Sequence, residues 1–266
     1  MNRDREGQSH FGGSIPIHRD GGGNALRLGF RQVKGLREED IKVLITGRTK
    51  MFTSINELRD IGLPEAALLT LADADAFRSI GLDRRQALWE VSTNDRPVVL
   101  FKGQSSPDAI NENVSLPVMT MPEHVVHDYA SLSLSVKAHP VSFLRERLGQ
   151  LHILPAAELS KFEDGALVKV AGLVLVRQRP GTAKGVCFIT IEDETGTINL
   201  VVFENIIDQY RREILHSKLM MVEGKLQVEG EVIHVIVEKC FDLSRMLRRL
   251  STGDLENAFP EGRNFK

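Results

Sequence analysis

An alternating hairpin in the second half of the chain constrains its fold more than any other feature. Residues 185–203 read GVCFITIEDETGTINLVVF, two runs of alternating side chains on either side of the turn DETG. A period of two means that one face of each strand is buried while the other faces solvent. The inward positions are Cys187, Ile189, Ile191, Ile198, Leu200 and Val202. The outward face is therefore predicted to carry Phe188, Thr190 and Asn199, an aromatic and two small polar side chains.

The segments around this hairpin complete a barrel. Residues 166–179 predict a long first strand, residues 204–215 an amphipathic helix, and residues 218–239 a strand pair around the turn EG. Strand, strand, strand, helix, strand, strand is the order of a five-stranded OB-fold β-barrel. Gly172, in the middle of the first strand, fits the bend that a small barrel needs. The predicted fold class is α+β, with an N-terminal all-α region before this C-terminal barrel.

Upstream of the barrel, apolar residues recur at helical spacing. The segments VKGL (residues 33–36) and IGLP (residues 61–64) each precede such a run, which predicts a tandem helix–hairpin–helix region. A glycine-containing hairpin exposes backbone N–H groups at a helix N-terminus, and these bind phosphate without reading sequence. The candidate phosphate-binding residues are Lys34, Gly35, Arg37, Lys42 and Gly62. The alternative is an ordinary helical hairpin in a structural bundle. A further short helix is predicted at residues 81–91, with Trp89 on its apolar side.

The outward face of the barrel is the second candidate site. OB folds bind oligonucleotides on their second and third strands and at the loop between the first and second. Phe188 can stack on a base there, and Thr190 and Asn199 can hydrogen-bond to a base edge or to the backbone. The basic residues that bracket the first loop, and are expected to meet phosphates, are Arg177, Arg179 and Lys184. In the alternative interpretation Phe188 packs on a neighbouring domain and the basic loop is only solvated.

Length and charge set limits on these sites. A chain of 266 residues suits two modest domains, and a formal net charge of −2 means that nucleic-acid binding must come from local patches. Cys187 and Cys240 lie in apolar runs and are expected to be buried free thiols of a reducing compartment rather than a disulfide. The predicted division is 1–25 disordered or a truncated edge, 26–92 helix–hairpin–helix DNA-binding region, 93–165 linker and short helices, 166–243 OB-fold domain, and 244–266 C-terminal tail.

The sequence offers no catalytic or metal-binding cluster. None of its 8 histidines forms an HxH, HxxxH or HExxH motif, no phosphate-cradling GxxxxGK[ST] loop is present, and the acids at helix starts and turns have structural explanations. We therefore expect no catalytic residue, metal or cofactor in this chain. The N-terminal residues have no apolar core typical of a signal peptide, and no apolar run approaches the ~20 residues of a membrane span. A cytoplasmic protein without a membrane partner is expected.

Several motifs in the same order resemble the C-terminal portion of bacterial error-prone DNA polymerases, C-family relatives of the polymerase III alpha subunit. They are LRLGFRQVKGL, FTSINEL, LADADAFRSIGLDRRQALWEV, LSLSVKAHPVSFLRERL and KGVCFITIEDETGTINLVVF, and the resemblance covers residues 25 to 245. It implies a helix–hairpin–helix region that holds duplex DNA, an OB domain near the single-stranded template, and a role in damage-induced mutagenesis and translesion synthesis.

The same resemblance implies that catalysis is located elsewhere. The family's catalytic carboxylates lie in a palm domain and its metal-binding PHP domain lies further upstream, both N-terminal to the residues matched here. The chain is therefore expected to be a fragment or truncated product that binds DNA without extending it. Magnesium is implied as a cofactor of the full-length polymerase only.

The segment NVSLPVM, residues 113–119, lies where replicative relatives carry a peptide that binds the sliding clamp. Ser115 and Leu116 match that peptide, whereas Asn113 replaces the usual glutamine and Pro117 stands in its aromatic region. These departures weaken the expectation of a clamp contact. Damage-inducible accessory proteins are implied as partners that can supply it. The alternative is a loop packed on its own domain.

Two other functions are compatible with parts of this pattern. One is a standalone single-stranded nucleic-acid-binding or scaffolding protein with no polymerase activity. The other is an OB domain of the aminoacyl-tRNA synthetase type that binds RNA, although the helical region matches no synthetase core. The presence of an OB barrel does not distinguish these functions from that of a polymerase module, because one fold serves many functions.

Overall fold

The computed structural model describes residues 28–93, 116–181, 185–230, 232–250, 258–259 and 262–265. The α-helices within them are α1 (Glu38–Gly47), α2 (Ile55–Asp60), α3 (Glu65–Asp73), α4 (Arg84–Ser92), α5 (Met121–Leu132), α6 (Arg145–Gln150), α7 (Glu204–Gln209), α8 (Arg211–His216) and α9 (Ser244–Arg248). The strands are β1 (Leu167–Gln178), β2 (Cys187–Asp193), β3 (Gly196–Val202), β4 (Leu219–Glu229), β5 (Val232–Asp242) and β6 (Arg263–Phe265). Short 3-10 helices span Phe30–Gln32, Ala76–Ile80, Pro140–Leu144 and Ala156–Lys161. None of the helices in the described ranges is long and apolar enough to cross a membrane.

The first five strands close into the predicted barrel. Strand β2 pairs with β3, β3 with β5, β5 with β4, and β4 with β1, while β1 also pairs with β2 and so joins the two ends of the sheet. Strand β6 lies parallel to the second half of β1. The interior is filled by the alternate side chains of each strand, and Ile189, Ile191 and Leu200 are almost completely buried. The α+β fold class predicted from the sequence is confirmed.

A bend in β1 allows the barrel to close. The first part of β1, Leu167 to Leu173, pairs with β4, and the part from Leu173 onward pairs with β2. At the crossing the backbone of Glu192 approaches Gly172 so closely that a Cβ there would lie 2.6 Å from the carbonyl oxygen. Only glycine fits this contact, so the mid-strand glycine has the role that the sequence suggested.

The helical region forms a second, separate core. Helices α2, α3 and α4 surround Ile55, Leu68 and Val91, all fully buried. Ser54 caps α2 by accepting a hydrogen bond from the Glu57 N–H. Helix α4 forms as expected, but its Trp89 is 47% exposed, so the expectation that Trp89 faces the core is wrong. The inward positions of α4 are taken by Arg84, Ala87 and Val91 instead.

The segment between the two regions packs against the barrel. Helices α5 and α6 share a third apolar cluster with the outer side of β1 and β4, whose members include Val126, Val141, Leu148, Ala171, Leu173, Leu219, Met221, Leu247 and Phe259. The described part of the expected linker, residues 116–165, is thus largely folded onto the OB domain. Helix α9 and Phe259, in the expected C-terminal tail, belong to the same cluster.

A buried ion cluster attaches α4 to α5. The guanidinium of Arg84, which is fully buried, donates to the His124 carbonyl oxygen (3.0 Å) and to the Asp128 carboxylate. Asp128 also accepts from Lys137 Nζ (2.8 Å) and Ser135 Oγ (2.7 Å). Burial alone would raise the pKa of Asp128, but hydrogen bonds from Lys137, Arg84 and Ser135 outweigh that effect and hold its pKa below the usual range.

A second buried acid fixes the turn of the β2–β3 hairpin. One oxygen of Asp193 accepts from the backbone N–H groups of Thr195 (2.7 Å) and Gly196 (3.1 Å). The other oxygen accepts from Arg145 Nη2 (2.9 Å) and the Ala156 N–H (2.8 Å). The turn chemistry expected of the sequence DETG therefore also ties the hairpin to α6 and to the segment that precedes β1.

Candidate nucleic-acid interface

The outward face of β2, β3 and β5 carries two rows of side chains. Each row runs across the three strands and joins residues that are register partners. The apolar row consists of Phe188, Val201 and Ile236. The polar row consists of Thr190, Asn199 and His234. Phe188 is 39% exposed although its neighbours Cys187 and Ile189 are buried, so the strand phase predicted from the sequence is confirmed.

The polar row is partly ordered by its own hydrogen bonding. Thr190 Oγ1 donates to Asn199 Oδ1 at 3.1 Å. This bond uses the amide oxygen and leaves the amide nitrogen of Asn199 as a donor on the outward face. An exposed ring beside hydrogen-bonding groups is the arrangement with which OB folds stack and orient unpaired bases.

Arg177 does not lie on the surface loop where the sequence analysis placed it. It is only 5% exposed, and its guanidinium donates to the carbonyl oxygens of Ile214 and Ser217, both at 2.5 Å. The register of β1 against β2 shifts between Val174 and Val176, and this bulge turns Arg177 inward opposite the buried Ile189. Arg177 therefore stabilises the C-terminal end of α8 inside the barrel mouth and is not available to phosphate.

The other two basic residues of the first loop differ from Arg177. Arg179 follows β1 on the surface, and its Nη2 lies 3.5 Å from Glu204 Oε1. Lys184 lies outside the residues that the structure describes. The phosphate contacts predicted for Arg179 and Lys184 stay predictions.

The first predicted hairpin, Val33 to Leu36, docks on the end of α5. The Lys34 backbone N–H donates to the Ser131 carbonyl oxygen (2.9 Å), and its ammonium donates to the carbonyl oxygens of Tyr129 (3.1 Å) and Ala130 (2.8 Å). Burial lowers the pKa of Lys34. Lys34 thus caps the C-terminal carbonyl groups of α5. Gly35, which follows it, has a positive φ of 78° and turns the chain toward α1.

Two further cations of this hairpin are paired with acids of α1. Arg37 Nε lies 2.9 Å from Asp40 Oδ2, and Lys42 Nζ lies 3.0 Å from Glu38 Oε1. Both cations are solvent-exposed. Their predicted phosphate contacts would have to compete with these carboxylates.

The second predicted hairpin, Ile61 to Pro64, leads into a helix whose N-terminus has no side-chain cap. Gly62 adopts a φ of +91°, and the N–H groups of Gly62 and Leu63 donate to Arg59 O (2.9 Å) and Leu58 O (3.1 Å), closing α2. Helix α3 then begins at Glu65 after Pro64, with no side-chain cap on its first N–H groups. This hairpin has the geometry with which a helix N-terminus binds phosphate.

A third hairpin repeats this geometry and was missed by the sequence analysis. Gly81 has a φ of +87°, and the N–H groups of Gly81 and Leu82 donate to Arg78 O (3.0 Å) and Phe77 O (3.3 Å). The signal was present, because the triplet IGL occurs at both 61–63 and 80–82. Here, however, Asp83 caps α4 in a capping box with Gln86. The hairpins at Gly62 and Gly81 therefore differ at the helix that follows each of them. The first N–H groups of α3 have no side-chain cap, whereas those of α4 are capped by the Asp83 carboxylate.

Two family models match the chain, each over one of these regions. A helix–hairpin–helix motif matches residues 8–87, and an OB-fold nucleic acid binding domain matches residues 168–243. Error-prone DNA polymerase 1 of Rhizobium meliloti (strain 1021) is 49% identical over an alignment of 230 residues that covers 84% of this chain and 21% of that protein. The chain is a homologue of the error-prone DNA polymerases. The resemblance inferred from the sequence motifs is confirmed.

The match to error-prone polymerases is broad along this chain but partial along its relatives. An error-prone DNA polymerase of Rhodopseudomonas palustris (strain CGA009) is 41% identical over 266 residues, covering 90% of this chain and 22% of that protein. The chain thus spans about a fifth of the length of the curated relatives it matches. Asparaginyl-tRNA synthetase from Pyrococcus horikoshii is a structural match at 24% identity over 34% of this chain and 23% of its own, with a TM-score of 0.30. A likeness at that level carries no argument about function.

Metal-binding clusters and reactive cysteines are the other kinds of site that the described residues could form. Within the described ranges, no group of three or more histidine, cysteine or acidic side chains is placed to hold a metal ion. Cys187 and Cys240 are buried free thiols, as expected, and burial raises the pKa of Cys240 to about 12. A thiol with so high a pKa is a packing residue rather than a nucleophile.

The candidate clamp segment is described only in its second half. Residues 113–115 lie outside the described part of the chain, whereas Pro117 accepts a hydrogen bond from Arg85 Nη1 (2.7 Å) and Met119 is buried. Val118 between them is 85% exposed. The end of the segment is therefore held against α4, and a clamp contact stays a prediction.

Proposed function

We propose that this chain is a DNA-binding module of an error-prone DNA polymerase that acts in damage-induced mutagenesis and translesion synthesis. In this proposal the helix–hairpin–helix region holds duplex DNA through the Ile61–Pro64 hairpin, and the OB face binds the single-stranded template. The observation that supports it most is the exposed Phe188, set beside the polar row on the OB face of a polymerase homologue. Stacking on such a ring is tolerant of sequence, as copying any template requires.

A titration of single-stranded and duplex oligonucleotides against the full chain tests this proposal. Phe188→Ala should weaken single-strand binding by ~1–3 kcal/mol, because it removes one stacked base, and should leave duplex binding unchanged. Phe162→Ala is the matched control, since Phe162 is 38% exposed against 39% for Phe188 but lies before β1 rather than on the outward face. Equal effects of the two variants, or a large fall in melting temperature for Phe188→Ala alone, would contradict the assignment.

A primer-extension assay tests the second part of the proposal, that these residues bind DNA without extending it. Nucleotidyl transfer needs carboxylates converging on two metal ions, which the resemblance places in a palm domain. We expect binding of primer–template DNA that survives a chelator and no incorporation with magnesium or manganese. Chelator-sensitive extension that co-purifies with this chain would refute that part. Damage-inducible accessory proteins are proposed partners, to be sought by co-purification.

A further inference from the structure

A carboxylate occupies the mouth of the loop between β1 and β2. Glu204, the first residue of α7, lies 3.5 Å from Arg179 Nη2 through its Oε1. At the other end of the same loop, a Cβ on Gly185 would lie 2.9 Å from Glu204 Cδ, so the carboxylate lies directly against the Gly185 backbone. Glu204 therefore contacts both ends of the loop at which OB folds bind nucleic acid.

The fold does not depend on this ion pair. The side chains of Arg179 and Glu204 are 53% and 64% exposed, and a surface pair of this kind contributes little to stability. Arg179 makes no other ion pair within the described residues. Its guanidinium can therefore exchange Glu204 for another anion without disturbing the barrel.

Two exposed rings neighbour this ion pair along the chain and the sheet: Phe203 precedes Glu204, and Phe188 pairs with Gln178, which precedes Arg179. Phe203 immediately precedes Glu204, has extended backbone angles (φ −77°, ψ 159°) and is 46% exposed. Because Val201 pairs with Phe188 and side chains alternate along a strand, Phe203 lies on the same face, diagonal to Phe188. An exposed arginine and two exposed rings at the same end of neighbouring strands have the chemistry of a nucleotide site, with bases on the rings and a phosphate on the arginine.

We propose that the Glu204 carboxylate stands in the position of a backbone phosphate and competes with single-stranded nucleic acid for Arg179. This inference rests on the proposed function of the OB face and adds a device that limits its affinity. Binding displaces Glu204, and release restores the internal pair. A lowered affinity for single-stranded nucleic acid suits a template strand that must move by one nucleotide after each nucleotide is incorporated.

The test is a titration of a fluorescent single-stranded oligonucleotide with the wild-type chain and Glu204→Gln. Removing one like charge close to a phosphate should tighten binding about fivefold at low salt, and the difference should shrink as salt screens it. Glu163→Gln makes the same charge change at the opposite end of β1, where Glu163 is exposed, and should leave affinity unchanged. Thermal melting of each variant shows that the fold is retained.

Arg179→Ala is made in the wild-type chain and in the Glu204→Gln chain. The pair of measurements shows whether Glu204 competes with nucleic acid for Arg179 or only holds Arg179 in position. If Glu204 competes, Arg179→Ala should cost little affinity in the wild-type chain and several-fold more in the Glu204→Gln chain. Weaker or unchanged binding of Glu204→Gln, or an equal cost of Arg179→Ala in both backgrounds, overturns the inference. If Phe188→Ala weakens binding while Glu204→Gln does nothing, the proposed function stands and only this inference fails. Absence of single-strand binding by wild type and Glu204→Gln alike overturns both.

Discussion

The helical region and the barrel are both nucleic-acid-binding types, yet they are held in place by different forces. The barrel closes through apolar alternation, and its interior polar groups are confined to its ends. The helical region has its own apolar core, but it is attached to α5 by buried charges centred on Arg84 and Asp128. Removing one partner of a buried ion pair leaves a charge without its counterion, whereas truncating an apolar side chain leaves a cavity that its neighbours partly fill. The attachment of the helical region should therefore respond to the loss of a single charged side chain.

The largest expected effect follows from removing Arg84. Arg84→Ala leaves Asp128 with one fewer buried cation and should lower the free energy of unfolding of the helical region by about 3–5 kcal/mol. Trp89 is the one tryptophan of the chain and lies in α4, so its fluorescence during urea unfolding reports this region. Far-UV circular dichroism, which includes the strands, should show a second transition at the wild-type position.

Arg85→Ala is the matched control for Arg84→Ala. Arg85 is the next residue of the same helix, but its side chain is 32% exposed, its pair with Glu123 spans 3.8 Å, and its one short bond goes to the Pro117 carbonyl oxygen (2.7 Å). Its loss should cost about 1–2 kcal/mol. Equal destabilisation by the two variants would mean that the buried cluster does not set the attachment.

A second prediction concerns the binding of duplex DNA by the helical region. Phosphate binding by backbone N–H groups ignores sequence and depends on charge, so duplex affinity should fall about tenfold to a hundredfold between about 50 and 200 mM salt. Scrambling the duplex should change affinity by less than about twofold under the same conditions. Fluorescence anisotropy with two unrelated duplexes measures both quantities. A strong preference for one sequence would assign the helical region a base-reading role instead.

The smallest expected effect concerns pH and involves His139, which lies between α5 and the barrel. Burial lowers the pKa of His139 below its usual value of 6.5, although Glu192, Glu194 and Asp193 oppose this. Below pH 6.5 the unfolded chain therefore takes up a proton that the folded chain does not, and stability falls as the pH drops from about 7 to 5. His139→Asn retains an acceptor for the Val141 N–H and removes this titration. Its free energy of unfolding should depend less steeply on pH in urea titrations, and an unchanged slope would exclude His139 as a contributor.

The sequence predicted best where the contacts are local and periodic. Alternation alone placed Phe188 outward and Ile189 inward, because every residue of a regular strand obeys the same period. The prediction that Arg177 meets phosphate beside the first loop was wrong, because one bulge between Val174 and Val176 turns this side chain into the barrel. No local pattern announces a bulge of this kind in a run of valines and leucines.

Long-range contacts explain the remaining differences. Lys34 is an exposed lysine in a hairpin, and nothing near it in sequence shows that it binds carbonyl groups at Tyr129 and Ala130. Trp89 was predicted on the apolar side of α4, whereas Arg84 takes an inward position because Asp128 pairs with it from another helix. The hairpin at Gly81 is different, because the repeated triplet IGL made it recognisable from sequence alone.

The pairing of β1 also determines the order in which the chain can fold during synthesis. Leu167 pairs with Lys225 and Leu173 with Leu219, so β1 meets β4 only after the hairpin and both intervening helices have been made. Helices α2 to α4 are contiguous in sequence and pay a much smaller loop-closure cost. On the ribosome the helical region can therefore become native while β1 still presents an unpaired edge. That interval is when the nascent chain is most exposed to mispairing, and a slower passage through residues 179–219 would lengthen it.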